Sequence, residues 1–156
     1  MFNFSKKHAE KEASKNEKGI HKRIANINVK CEYGAHLEAL SEEERVLYMN
    51  HIFKTEIDNG GFAMLFFHPA GAYAREMVDT LKAIGAVKCA QLLSEAIAKF
   101  PREIQGTTTE ERQDMLEEID PDDQLFFELN DALQAMGEDV GVYQKGYMIK
   151  HHEVLN

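Results

Sequence analysis

Between Glu103 and Asp139 the chain places thirteen carboxylates and a single base, Arg112. Read as helix at about 100° per residue, Glu110, Asp114 and Glu117 form one row, with Glu111 and Glu118 at its margin and Met115 and Ile119 opposite. Asp120, Asp122 and Asp123 are expected at the start of a following helix, and Glu128 and Asp131 fall away from its apolar stripe. A row of this kind faces water and attracts cationic partners, and it opposes compaction unless something else requires it. Neighbours three or four apart rise by about 4.5 to 6 Å, against about 3.4 Å per phosphate along one DNA strand, a spacing that is compatible with phosphate but not distinctive. The competing explanation is ordinary: acidic helix faces confer solubility, and acids at a helix start complement its dipole.

A second candidate constellation is Glu56, Asp58 and His68, which flank the glycine pair Gly60-Gly61 and would form a small-ligand or metal site if a polar pocket opened there. A surface or helix-capping role for His68 is the simpler reading. Asp120 and Asp122 match the first two positions of a calcium loop, but Gln124 and Leu125 replace the third ligand and the required glycine. Adjacent His151 and His152 point about 100° apart on a helix and make a poor metal pair with Glu153. No HExxH, GxSxG, SxxK, GxGxxG or P-loop occurs, so the sequence nominates no catalytic residue, no metal site and no cofactor.

The elements that must position these groups read as helical throughout. At 156 residues, 44% of them hydrophobic, the chain suffices for one ordinary core. Ser41 and Glu44 form a capping box that opens a helix with an apolar stripe through Val46, Met49, Phe53 and Ile57, flanked by Leu47 and Ile52. Asn59, Gly60, Gly61 and Phe62 fall where that stripe ends. Glycine there is expected to supply a left-handed C-terminal residue and a sharp turn, so that the rings of "FAMLFF" pack back close to the helix. Met77, Leu81 and Ile84 continue the pattern up to Gly85, and Ala90, Leu93, Ile97 and Phe100 continue it up to Pro101, a helical hairpin joined at a glycine. A second capping box, Thr108 with Glu111, opens the acidic helix. Leu125, Leu129, Leu133 and Met136 stripe the next, with Phe126 on its flank, and Tyr143 and Tyr147 belong to a last one. The fold expected is all-α, a single-domain bundle of about six to eight helices with antiparallel helical hairpins.

Charge divides the chain unevenly. Residues 1–30 carry a balance of +5 and residues 31–156 one of −14, which suggests a basic arm or solvated helix followed by an acidic helical domain. The acidic body is expected to repel nucleic acid and anionic membrane surfaces, and the arm to do the opposite. Cys31 and Cys89 share no ligand spacing and read as reduced thiols. No apolar leader region and no stretch long enough to span a bilayer is present, so a cytoplasmic location is expected. Nothing in the sequence sets the oligomeric state.

The segment "EIDNGGFAMLFF" followed by "AGAYAREMVDTLKAIGAVKCAQLLSEAIAKFP" resembles the bacterial DNA-mimic-protein family over roughly residues 36–152. The resemblance rests on Glu56 with Asn59 to Phe62, on Ile84 to Ala86 and on the aromatic end around Tyr147. It implies a bundle of helices and a carboxylate surface presented, in place of DNA phosphates, to the basic surface of a DNA-binding protein. It implies no catalytic residue. The function expected is therefore a non-enzymatic one, in which Glu110 through Asp131 bind that partner and compete with DNA.

Overall fold

The computed structural model describes residues 2–155. All regular structure among them is helical: α1 (Phe2–Lys30), α2 (Glu42–Phe67), α3 (Ala74–Ile84), α4 (Val87–Ile97), α5 (Thr109–Ile119), α6 (Phe127–Ala135), α7 (Val140–Lys150) and α8 (His152–Leu155). Short 3-10 turns lie at Glu32–Gly34, Leu37–Ala39 and Pro69–Tyr73. The fold is all-α. The chain divides inside α2 into two compact units, one ending at Tyr48 and the other beginning at Met49. Among the described residues no helix is long and apolar enough to cross a membrane.

In the first unit α1 exposes Lys7, Lys11, Lys15 and Lys18 but buries Ile24 and Ile27, so its C-terminal end contributes to packing rather than standing wholly in solvent. The Ser41 capping box forms as its spacing predicts: Glu44 N donates to Ser41 Oγ at 3.2 Å and Ser41 N to a Glu44 carboxylate oxygen at 2.9 Å. That carboxylate also receives Lys30 Nζ at 2.7 Å, which ties the end of α1 to the start of α2.

The second unit is built around the break in α2. Gly60 is extended, while Gly61 takes φ 73° and ψ −160°, a region open to glycine and closed to residues with a Cβ. Beyond it Phe62–Phe67 runs on as helix, carrying Phe62, Leu65 and Phe66 fully buried. Phe66 packs edge-on against Phe100 at 4.8 Å between centroids and against Phe126 at 5.5 Å. The hairpin of α3 and α4 turns through Gly85, left-handed at φ 95°, and buries Met77, Leu81, Ala90 and Leu93. Asn50 on α2 donates to Thr80 O at 2.9 Å, giving α2 and α3 a buried polar tie.

Two expectations about α6 are overturned. Its first residue is Phe127, and the acids from Asp120 to Asp123 occupy an irregular loop rather than a helix start. Phe126, expected on the flank, is 1% exposed and lies among the core rings, whereas Phe127 points out. Core demand for an aromatic between Phe62 and Phe66 decides this, and periodicity within α6 does not register it.

Candidate functional site

Helix α5 starts at its predicted box: Glu111 N donates to Thr108 Oγ1 at 3.1 Å, and Thr108 N to the Glu111 carboxylate at 2.8 Å. From there Met115 and Leu116 turn inward, while Glu110, Glu111, Asp114, Glu117 and Glu118 are exposed. Asp122 and Asp123 in the loop, and Glu128 and Asp131 on α6, are exposed as well. Among the described residues none of these nine carboxylates takes part in an ion pair.

Asp120 departs from the expected surface row. It is buried, and its Oδ1 accepts from Gln124 N and Leu125 N, both at 2.8 Å. A carboxylate that satisfies two loop amides is a local cap, because those amides have no helical carbonyl to reach. Asp123 closes the same loop with φ 54°, a left-handed conformation that Asp tolerates better than most residues. At the far ends of the stretch, Glu103 pairs with Arg75 at 2.7 Å, Glu138 accepts from Cys89 N at 2.7 Å, and Asp139 accepts from Gly141 N at 2.8 Å.

Arg112, the one base in the acidic stretch, does not reach solvent at all: its relative exposure is 0%. Its Nε donates to Phe66 O at 3.1 Å, Nη1 to Thr107 O at 2.8 Å and Nη2 to His68 O at 2.8 Å. Gln113 beside it donates to Phe67 O at 3.0 Å. The last carbonyls of α2 have no intrahelical donor, so two consecutive α5 side chains supply one, and a cation sits at the negative end of that helix. Burial lowers the Arg112 pKa while neighbouring Glu111 opposes the shift, and a guanidinium stays charged under either influence. The acidic exterior of α5 is thus held in place by a cation that forms no direct ion pair with it.

At the glycine turn, Phe62 N donates to Asn130 Oδ1 at 3.0 Å, across 68 positions of sequence. A Cβ built on Gly61 would stand 2.5 Å from the same oxygen. Asn130 of α6 therefore fills the space and takes the amide that an anion at this turn would need, and Phe62 and Phe66 close the turn from within. His68 Nδ1 lies 2.7 Å from a Glu56 carboxylate oxygen, a pairing the sequence suggested only as proximity. Asp58 is engaged by Lys54 instead. No group of three His, Cys, Asp or Glu arranged to hold a metal occurs among the described residues.

A groove of about 910 Å³ opens beside the turn, between α5, α6 and the end of α2. Its walls are chiefly apolar, with Met64, Phe67, Leu116 and Phe127 among them, and carry the carboxylates of Glu117 and Asp123. Neither Glu56 nor Asp58 lines it. Gln113 and Glu117 of α5, with Asp120 just past its end, form the groove row, and Glu110, Asp114 and Glu118 follow around the helix, so groove and acidic row adjoin. Asn130 and the groove went unseen in the sequence. Phe127 beside Phe126 was the available signal, since consecutive residues of a helix point about 100° apart.

No curated protein and no solved structure matches this chain. The family model described as DMP19-like protein matches residues 38–152, the stretch that carries the glycine turn, the hairpin and the acidic helices. This chain belongs to the DMP19-like protein family.

Proposed function

We infer that this chain acts as a DNA mimic: the carboxylates of α5, the loop after it and α6 meet the basic surface of a DNA-binding protein and compete with DNA for it. What supports this most is that nine exposed carboxylates lie without an ion-pair partner among the described residues while the only base in their stretch is buried. Exposed, uncompensated charge of one sign steers association and favours a partner of the opposite sign. Membership of the DMP19-like family supports the same direction. The acidic body itself would not bind DNA, and no chemical step is involved.

The test is affinity capture with the purified chain at low and high salt, followed by displacement of labelled DNA from each captured DNA-binding protein. Binding is expected to weaken steeply as salt rises. It should be lost on reversing Glu110, Asp114, Glu117 and Glu128 together to lysine. Salt-insensitive capture, or binding that survives the fourfold reversal, would exclude the mimic reading. A small-ligand or metal site built on Glu56, Asp58 and His68 is disfavoured by the separate engagement of Asp58 and by the Phe-closed turn.

A further inference from the structure

A surface that works by charge alone has no use for exposed rings, yet Phe67 and Phe127 are 49% and 57% exposed and line one groove. Single exposed apolar residues are ordinary, but here the two rings combine with Met64 and Leu116 into a continuous wall. Of the three carboxylates in the lining, Asp120 caps its own loop while Glu117 and Asp123 lack ion-pair partners among the described residues, and no Lys or Arg lines the groove. An occupant must therefore bring apolar side chains to the floor and positive charge to the rim. The described residues include no strand, so an extended peptide would find no sheet edge on which to satisfy its backbone. A helix satisfies its own backbone and can present both chemistries, on adjoining faces.

We propose that the groove between α5, α6 and the end of α2 docks an amphipathic helix of a partner protein, with apolar residues at i, i+3, i+4 and i+7 seated on Phe67 and Phe127 and flanking Lys or Arg against Glu117, Asp123 and the adjoining α5 row. This rests on the reading that the acidic face meets a basic protein, and specifies how: the rings supply anchorage and the carboxylates supply steering and register. Affinity then depends on the order of residues in the partner segment and not only on its charge.

The probes are two synthetic peptides of identical leucine, lysine and alanine content, one with leucines at helical spacing and one scrambled, each measured by fluorescence anisotropy against the full chain. The ordered peptide should bind about tenfold more tightly than the scrambled one. Phe67→Ser and Phe127→Ser should each remove most of that advantage, and Phe127→Leu, which keeps apolar area, should retain it. Both rings are exposed, so thermal melts of the serine variants should overlay the parent. Equal binding of the two peptides, or serine variants that bind normally, would overturn the proposal, as would a short alkylamine that saturates the groove and blocks the ordered peptide. Loss of DNA competition on reversing Glu110, Asp114 and Glu128 with no effect of the serine variants would sink the groove and leave mimicry standing. Peptide binding lost in the serine variants with DNA competition absent throughout would do the converse.

Discussion

Replacing Arg112 with leucine deletes the donors to Phe66 O and Thr107 O and one of the two to His68 O, which keeps the Gly71 amide at 3.1 Å, in a site closed to solvent. A buried acceptor left without a partner costs about 1 to 3 kcal/mol. Of the three, His68 O stays satisfied and the partly buried Thr107 can recruit water, and the variant no longer buries a charge. The net expected is about 2 to 4 kcal/mol, from the orphaned Phe66 carbonyl and a partly rehydrated Thr107 carbonyl. For a chain of this size each kcal/mol moves Tm by about 2 to 4 °C, so the melt should fall by roughly 4 to 16 °C. Arg112→Lys keeps the charge but cannot fork to carbonyls on both sides, and should lie in between. Urea titrations of the three proteins measure this directly. A leucine variant within about 1 kcal/mol of the parent would refute the view that Arg112 joins the end of α2 to α5. The folded fraction of either variant should keep the parent's salt dependence of partner binding, since the guanidinium does not face solvent.

At the turn, Gly61→Ala should destabilise by about 2 kcal/mol or more and exceed Gly60→Ala, because only Gly61 combines positive φ with a neighbour at 2.5 Å. Asn130→Ala alone should cost about 1 kcal/mol for the lost Phe62 bond, and the double variant should cost less than the sum, since the alanine methyl and the Asn130 side chain compete for one space. Cys89 is buried, and desolvation with Glu138 nearby pushes its thiol up to about 12, so a disulfide reagent at pH 8 should label it only as fast as the chain unfolds. Immediate labelling in the native state would contradict that environment. Glu44 is held below its ordinary value of 4.5: its partial burial opposes ionisation, but the Lys30 and Ser41 contacts outweigh it. Its contribution is therefore present above that value and lost as pH falls through the lower folded one, and urea midpoints of Glu44→Gln should decline less on acidification than those of the parent.

Several features were legible in the residues because their causes are local. The stripes Met77-Leu81-Ile84 and Ala90-Leu93-Ile97 read out as the buried faces of α3 and α4, since helical periodicity is a property of neighbouring residues. Both capping boxes formed for the same reason, each needing only residues three apart. Asp120 was misplaced because a carboxylate in "DPDD" suits a helix start and a loop cap equally well, and the start of α6 depends on Phe126 being drawn inward.

The sequence by itself determined that the chain is helical, where the two helices opened by capping boxes begin, and that the C-terminal third is heavily anionic, because propensity, period and formal charge are carried by single residues and short spacings. Tertiary structure alone decided that Arg112 turns inward to the carbonyls of α2, that Asn130 fills the Gly61 turn, and that Phe67 and Phe127 share one groove with unpaired carboxylates. Each of those contacts joins residues about 46 to 69 positions apart, and only the packed chain brings such partners within reach of a hydrogen bond or a shared wall.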